Sequence, residues 1–367
     1  MTRLRALGWD HPRCMGPMRA CAAAWRELHP DVAIDWEVRS LGAFGDQPLE
    51  EVAGSYDLLV IDHPFCGTAE AAACLTPLDE LLEPTQLRTL EADAVGPSHT
   101  SYSFHGRQWG LATDAACQVS AVREDLLGGP PPRTWDEVLE LARDLPGRTA
   151  IPLAPAHAIS SYLTLCANAG GSFLDPEVGT ASLALLRELY RLGPAEAIDW
   201  EPPDVLAWLA SDDELVYVPL TYGYVSYSPP CRFLDIPSAG SGPVGSVLGG
   251  AGLAVSAASA QTGAAAAFAG WASGAEAQRE LVGPAGGQPG SRTAWADPEL
   301  DRAAGGFFSG TLATIEAAWV RPRETWWPAF QLEGGRLLSR ALAGGGTPST
   351  IRDELAALYG ECSGERP

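Results

Sequence analysis

Two segments of the chain place the same pair of reactive side chains directly after a predicted strand. Asp10 and His11 follow the apolar segment Leu4–Trp9. Asp62 and His63 follow the continuous apolar run YDLLVI, and a proline comes next in both places. Because His titrates near neutral pH and burial raises the pKa of a carboxyl, the two pairs are candidates for general acid–base chemistry. The same residues are also common at helix starts, so an interpretation as helix caps stays open.

The segments around these pairs alternate between strand and helix patterns. Leu4–Trp9 predicts a strand, Pro17–Leu28 a helix with one apolar face, and Val32–Val38 a half-buried strand. Tyr56–Ile61 is an apolar run apart from Asp57, which is typical of a central parallel strand. This order predicts a doubly wound sheet whose ligand crevice lies beyond the carboxyl ends of the strands. Both Asp-His pairs are therefore expected in one crevice.

The length of the chain predicts two lobes. A chain of 367 residues with 46% hydrophobic content is long enough for two cores of ordinary size. Gln108–Val122 predicts an extended segment that crosses into a second lobe, and Ser246–Ser256 predicts a strand that returns. The expected fold class is α/β, with a doubly wound, mainly parallel sheet flanked by helices in each lobe. The predicted boundaries assign residues 1–112 and 250–305 to lobe 1, and 113–249 and 306–367 to lobe 2.

Charge and residue usage exclude several classes of function. The 46 acidic and 24 basic residues give a formal charge of -22, which repels nucleic acid and anionic membrane surfaces. Every basic residue is Arg and no Lys occurs. A Schiff-base lysine, a phosphate-binding P-loop lysine and a Ser-Lys pair are therefore excluded. The expected partner is a small molecule and not nucleic acid.

The cysteines and the N-terminal segment predict a cytoplasmic location. Eight cysteines are scattered without a CxxC pair, which favours reduced thiols over a disulfide framework. The start MTRLRALGWDHPR contains no apolar run of the length that a secretory signal needs. No later segment has the apolar length of a membrane span, so membrane insertion is not expected.

Three other chemistries fit the sequence poorly. Gly249–Gly252 resembles a dinucleotide-binding turn, but Val255 stands where Gly or Ala is needed and a strand follows instead of a helix. Close approach of the backbone to a ligand is a better use for these glycines. The chain has no HExxH, HxH or paired-cysteine spacing, so neither a metal nor a cofactor is predicted. Cys66 and Cys117 are more typical of buried apolar residues than of nucleophiles.

A set of motifs that covers nearly the whole chain resembles one protein family. In chain order these motifs are HPDVAIDWE, YDLLVIDHP, CLTPLDELL, GRQWGLATDAACQVSAVRED, TWDEVLELAR, GGAGLAVSAAS, AAAAFAGWASGAEAQREL and GGQPGSRTAW. Together they resemble the extracellular solute-binding proteins of ABC importers, of the carbohydrate type. The resemblance implies a two-lobed periplasmic-binding-protein-like fold with a hinge between the lobes. It also implies a small polar ligand, a sugar before others, in the cleft between them. An ABC permease is an expected partner only if an export signal was removed from the N-terminus.

The predicted topology brings polar and aromatic side chains to the cleft. Carboxylates and amides bond neighbouring hydroxyls, Trp and Tyr stack on sugar rings, and an Arg can bind a ligand carboxylate through two parallel bonds. The arginines can equally form ion pairs within so acidic a chain, the tyrosines can be surface residues, and the tryptophan can cover an apolar seam. The candidate ligand-binding residues are Trp9, Asp10, His11, Asp62, His63, Asp114, Gln118, His157, Tyr222, Tyr224, Gly250, Gln288, Arg321, Arg323 and Trp326.

Two hypotheses about function follow from the sequence. In the first, the chain is a binding protein that closes around its ligand by a hinge motion. In the second, the same scaffold is a cytoplasmic enzyme that acts on a small metabolite, since a fold does not fix a function. Asp10, His11, Asp62 and His63 are then its acid–base residues. The sequence leaves both hypotheses open.

Overall fold

The computed structural model describes residues 1–211 and 214–364. The chain divides into two compact units, each built from three segments. Unit 1 contains Met1–Ala116, Gly249–Ala303 and Val320–Thr325, and unit 2 contains Cys117–Leu248, Ala304–Trp319 and Trp326–Pro367. The short segment Val320–Thr325 therefore belongs to unit 1, whereas the sequence assigned it to lobe 2. Its side chains are bonded to strand ends of unit 1, as described below.

Strands and helices alternate along most of the chain. The strands are β1 (Thr2–Trp9), β2 (Val32–Arg39), β3 (Leu58–Ile61), β4 (Leu75–Thr76), β5 (Ser103–Phe104), β6 (Arg107–Gln108), β7 (Leu111–Val122), β8 (Tyr217–Tyr222), β9 (Arg232–Leu234) and β10 (Leu248–Ser256). The longer helices are α1 (Pro12–Leu28), α2 (Leu41–Asp46), α3 (Leu49–Ala53), α4 (Cys66–Ala71), α5 (Pro84–Ala92), α6 (Glu124–Leu127), α7 (Trp135–Asp144), α8 (Pro155–Asn168), α9 (Pro176–Leu192), α10 (Pro202–Ser211) and α11 (Thr262–Ala272). They continue with α12 (Ala275–Ala277), α13 (Arg292–Trp295), α14 (Pro298–Ala303), α15 (Phe307–Glu316), α16 (Trp327–Gly344) and α17 (Pro348–Ser363).

The sheet of unit 1 begins with three parallel strands. β1 pairs in parallel with β2 on one side and with β3 on the other. β10 then pairs with β3 in the antiparallel direction, and the first half of β7 lies beyond it. The strands β1, β2 and β3 confirm the elements that the apolar patterns predicted.

The sheets are mixed and not mainly parallel, which corrects the predicted fold class. In unit 2 both β8 and β9 pair with β7 in the antiparallel direction. A parallel neighbour needs a crossover of a dozen or more residues within the same sheet, usually a helix. The chain reaches β10 from unit 2 and not through a helix of unit 1. No crossover within unit 1 therefore requires β10 to be parallel to β3.

The two faces of the unit 1 sheet hold separate apolar cores. On β3, Leu58 and Val60 contribute to one core, and Leu59 and Ile61 contribute to the other, because successive side chains point to opposite faces. The first core packs against α1 and α11. The second packs against α3 and α4. Burial on both faces explains why Leu58–Ile61 is apolar without interruption.

Unit 2 forms one apolar core between its strands and its long helices. Helix α16 packs against α8 and α17, and α9 packs against α8 and α17. Fully buried side chains such as Tyr162, Phe330 and Leu355 join these helices. Helix α7 begins with a capping box, since Thr134 and Glu137 bond each other's backbone N–H groups.

Within the described ranges, no helix is both long and apolar enough to cross a membrane.

Candidate functional site

Residues after β1 and β3 act as caps. The Nδ1 atom of His11 accepts a hydrogen bond from the backbone N of Arg13 at 3.1 Å, which caps α1. The Oδ1 atom of Asp62 accepts a bond from the backbone N of His63 at 2.9 Å. Asp10 is exposed. The capping interpretation is therefore confirmed for His11 and for Asp62, although Asp62 also has a second partner.

That second partner of Asp62 is Arg321. The Nη2 atom of Arg321 donates to both carboxylate oxygens at 2.8 Å, and the two side chains are 4% and 13% exposed. Burial alone raises the pKa of a carboxyl, but the guanidinium of Arg321 and the neighbouring His63 outweigh it and hold the pKa of Asp62 at about 2. The sequence left two uses open for Arg321, an ion pair within the chain or a bond to a ligand carboxylate, and the structure shows the ion pair.

His63 is fully buried beside this ion pair. Its Nδ1 atom lies 3.2 Å from Oδ1 of Asp62, and its ring lies edge-on to Tyr102 with 6.2 Å between centroids. Burial, assisted by the positive charge of Arg321, lowers the pKa of His63 to about 4. The ring is therefore neutral at pH 7 and has no contact with solvent. The predicted acid–base use of Asp62 and His63 needs a raised pKa on Asp62, whereas Arg321 holds that pKa at about 2.

A second buried ion pair joins α1 to β7. The Nε atom of Arg13 donates to Oδ1 of Asp114 at 2.8 Å, a second bond joins Nη2 to Oδ2, and both residues are buried. No role was predicted for Arg13. A signal was present, because Arg13 stands directly before Cys14, which lies on the buried part of α1 together with Met18 and Cys21, and a charge there needs a partner.

These residues surround a small recess in unit 1. The recess has a volume of about 10 Å³, roughly that of one water molecule. It is lined by Trp9, Arg13, Cys14, Pro17, Met18, Val60, Thr113, Asp114 and Ala251. Trp9 is 3% exposed and packs on Phe44 with 4.9 Å between ring centroids. Trp9 and Asp114 are thus brought together as predicted, but in the interior of the unit.

Gly250 makes a close approach to the chain itself. Its φ is +107°, and a Cβ atom at this position would lie 2.4 Å from the backbone O of Asp114. Such a φ favours glycine. The sequence predicted that the backbone approaches a ligand here. The structure shows that it approaches β7.

Two predicted amide ligands are used inside the fold. In unit 1, Nε2 of Gln288 donates to the backbone O of Ala115 at 3.2 Å, and Gln288 is fully buried. In unit 2, Nε2 of Gln118 donates to Oγ of Ser161 at 2.9 Å. The Oε1 atom of Gln118 accepts from Oγ1 of Thr164 at 2.6 Å. Both amides are fully buried and bond partners within the chain.

Unit 2 leaves two of its candidates at its surface. His157 and Tyr222 are half-buried, with 5.9 Å between their ring centroids, and the Tyr222 hydroxyl lies 3.4 Å from Oγ of Ser160. Tyr224 is 3% exposed. Trp326 packs on Tyr359 with 5.1 Å between centroids, as expected of a tryptophan that covers an apolar seam.

Arg323 holds the segment Val320–Thr325 against unit 1. Its Nη1 atom donates to the backbone O atoms of Thr100, Ser101 and Ser103 at 3.0–3.4 Å. The backbone O of Arg323 accepts from the backbone N of Gly67 at 2.8 Å. Arg323 is therefore a structural residue in this conformation.

The candidates separate by unit. Unit 1 contains Trp9, Asp10, His11, Asp62, His63, Asp114, Gly250, Gln288, Arg321 and Arg323, and unit 2 contains Gln118, His157, Tyr222, Tyr224 and Trp326. In the part of the chain that the structure describes, no group of three or more His, Cys, Asp or Glu side chains is arranged to hold a metal ion.

The family of the chain follows from comparison with known proteins. The family described as bacterial extracellular solute-binding protein matches residues 8–279. The chain therefore belongs to this family, and it is a solute-binding protein. No curated protein sequence matches it.

Solved structures with the same fold cover nearly the whole chain. A maltose-bound MalE3 from T. maritima superposes with a TM-score of 0.83 at 18% identity and covers 98% of this chain and 99% of its own. An ABC transporter solute-binding protein from Agrobacterium radiobacter K84, in complex with ribitol, gives 0.83 at 20% identity and covers 100% and 98%. The GacH receptor of Streptomyces glaucescens, solved without ligand and with acarbose, gives 0.82 at 15% identity and covers 100% of both chains. At these identities the likeness shows the fold, which is the mixed α/β periplasmic-binding-protein fold.

Proposed function

We propose that this solute-binding protein binds a sugar or a polyol at the carboxyl ends of β1, β2 and β3. The residues there are Trp9, Asp10, His11, Arg39 and Asp62, which we call the strand-end face. The three strands are parallel and adjacent, and Trp9 is directly paired with Arg39. Ligands of open α/β sheets bind outside the carboxyl ends of parallel strands. This juxtaposition is the observation that carries the proposal.

The strand-end face combines an apolar floor with polar groups above it. Trp9 and Phe44 form the floor, and the guanidinium of Arg13 lies 5.9 Å from the Trp9 ring. Asp10 is exposed and His11 is half-buried, so both are positioned to bond hydroxyl groups. Burial and the charge of Arg13 lower the pKa of His11 to about 4, so the ring is neutral at pH 7. A neutral imidazole and a carboxylate suit a ligand with many hydroxyls.

Proteins with the same fold support this class of ligand. The T. maritima structure is described as maltose-bound, and others are described in complex with ribitol, α-D-tagatose and D-mannitol. On that basis we propose that this chain also binds a sugar or a polyol. Contact of the ligand with His157 and Tyr222 of unit 2 stays a prediction.

The proposal is tested by measuring ligand binding. Maltose, ribitol, D-tagatose and D-mannitol are each titrated into the protein by calorimetry, and the melting temperature is recorded at saturating ligand. Because a ligand at 100 times its Kd stabilises the folded state by about 2.7 kcal/mol, at least one compound should raise the melting temperature by several degrees. If no compound of a broad sugar and polyol panel gives heat or stabilisation, the proposal is wrong.

Two conservative variants locate the site. His11→Asn keeps a side chain that caps α1 as well as any other but removes the imidazole. Asp10→Asn removes an exposed charge. Either variant should weaken binding about tenfold while the melting temperature stays within a few degrees. The matched control is Arg19→Gln, at an exposed position of α1, which should leave the Kd unchanged.

An ABC permease is the partner that the family supports. Solute-binding proteins of ABC transporters deliver their solute to such a complex, and we propose the same for this chain. The cytoplasmic location predicted from the sequence stays a prediction. Fractionation of the native cells with an antibody to the protein tests it, because an exported pool meets a permease at the outer face and a purely cytoplasmic pool does not.

A further inference from the structure

Arg39 is the last residue of β2, and its side chain has only backbone partners. The Nη2 atom donates to the backbone O of Val60 at 3.1 Å, and Nη1 donates to the backbone O of Ala43 at 3.4 Å. The Nε atom is buried and makes no hydrogen bond. Across residues 1–211 and 214–364, no carboxylate oxygen lies within 4.0 Å of this guanidinium.

The other buried arginines near this face are compensated. Arg13 is bonded to Asp114, and Arg321 is bonded to Asp62. Burial lowers the pKa of Arg39, but a guanidinium stays protonated at pH 7. The side chain is therefore a half-buried positive charge without a counter-ion, in a chain with 46 acidic and 24 basic residues. Burying a charge is costly unless it is paired, so a partner from outside the chain has a clear electrostatic role here.

The position of Arg39 is on the strand-end face. Its backbone O accepts a hydrogen bond from the backbone N of Asp10 at 2.8 Å. Its guanidinium lies 5.5 Å from the ring of Phe44, which in turn packs on Trp9. Two carboxylates lie on the same face: that of Asp62 is bonded to Arg321, and that of Asp10 is exposed and therefore screened by water and salt.

We infer that Arg39 binds an oxyanion group, a carboxylate or a phosphate, carried by the sugar or polyol. The inference rests on the proposed function and narrows its ligand to an acidic sugar derivative. A guanidinium has five N–H donors, of which the chain uses two, so donors remain for a paired bond to two oxygens. The overall charge of -22 repels an anionic ligand at a distance, but a local unpaired cation outweighs a distant screened field.

The experiment compares acidic ligands with neutral ligands of the same carbon skeleton. D-Gluconate is titrated against D-sorbitol, and D-glucose 6-phosphate against D-glucose, by calorimetry at 0.15 M salt. The wild-type protein should bind at least one acid about tenfold to a hundredfold more tightly than its neutral counterpart. The carboxylate and phosphate pairs distinguish the two forms of the oxyanion.

Variants separate ligand recognition from a structural role of Arg39. Arg39→Gln should reduce the preference for the acid to below about threefold, with little change in the Kd of the neutral compound. Arg39→Lys keeps the charge without the paired donors and should retain part of the preference. If Arg39→Gln does not fold, the Lys variant and the salt dependence of the acid's Kd give the same answer. Arg19→Gln serves as the control and should leave both Kd values unchanged.

Three results would overturn the inference, and they differ in what they say about the proposed function. If a neutral compound binds as tightly as its acid, the proposed function stands and the role of Arg39 is wrong. The same holds if Arg39→Gln weakens both compounds equally, since that result indicates a purely structural side chain. If neither acids nor neutral compounds bind, both the inference and the proposed function are wrong.

Discussion

Replacing Asp62 by Asn tests whether the Asp62–Arg321 pair stabilises unit 1. The substitution keeps the size of the side chain and a cap for the following turn, because Asn caps about as well as Asp. It removes the charge opposite Arg321, which is 4% exposed. If Asp62 only caps the following turn, Asp62→Asn should therefore leave the free energy of unfolding almost unchanged.

The expected loss is several kcal/mol. The pKa of Asp62 is held at about 2 instead of 3.8, which corresponds to roughly 2–3 kcal/mol of stabilisation. Breaking a buried ion pair by removing one partner typically costs about 3–5 kcal/mol, since the other charge stays buried. We therefore expect Asp62→Asn to lower the free energy of unfolding by about 3 kcal/mol at pH 7. The lowered pKa also determines how this stabilisation depends on pH. The ion pair stabilises the folded state fully above pH 4, and this stabilisation is lost as the pH falls from 4 to 2.

The assay is guanidinium chloride unfolding followed by tryptophan fluorescence. Asp10→Asn is the matched control, because Asp10 occupies the same position after β1 but is exposed, and it should change stability by less than about 0.5 kcal/mol. A double-mutant cycle with Arg321→Gln should give a coupling of more than about 1 kcal/mol. A loss below 1 kcal/mol for Asp62→Asn, or additive single mutants, would refute the reasoning.

Three further predictions concern stability and thiol chemistry. The unfolded chain protonates His63 near pH 6.5 but the folded chain only near pH 4, so His63 should lower the free energy of unfolding by up to about 1.4 kcal/mol for each pH unit as the pH is lowered from 6.5 to 4. Urea unfolding at several pH values should show a weaker dependence of this free energy on pH for His63→Gln, and an equal dependence would contradict the prediction. Thr164→Val leaves Oε1 of Gln118 without its donor and should cost about 1–3 kcal/mol in the same assay, whereas a cost below 0.5 kcal/mol would show that the network is not stabilising. Titration with a thiol reagent should count close to eight thiols in denatured, unreduced protein, whereas a count near six or below would show that disulfides form. In native protein, Cys74 and Cys362 should react first because they are half-buried and the other six cysteines are buried.

The strands of unit 1 could be predicted because their burial fixes their composition. A strand covered on both faces must be apolar throughout, as Leu58–Ile61 is, and an alternating strand such as Val32–Arg39 has one covered face. The direction of β10 could not be predicted. An apolar pattern reports burial and is the same for parallel and antiparallel strands.

The bonding partners of the candidate side chains were harder to predict than the strands. Arg321 lies 259 residues from Asp62 along the chain, and no local pattern reports a pair at that separation. Gln118 is similar in sequence to an amide that bonds a ligand, because both are polar residues on an apolar strand. Only the packing of Ser161 and Thr164 around it shows that its donors and acceptors are already used.

The proposed site is tested most directly by a crystal structure of the protein grown with the sugar, polyol or acidic derivative that stabilises it most. We expect a ligand at the carboxyl ends of β1, β2 and β3, with polar atoms within hydrogen-bonding distance of Asp10, His11 or the guanidinium of Arg39. A fully occupied ligand elsewhere in the molecule, with none of its atoms in contact with these three side chains, would contradict the proposal.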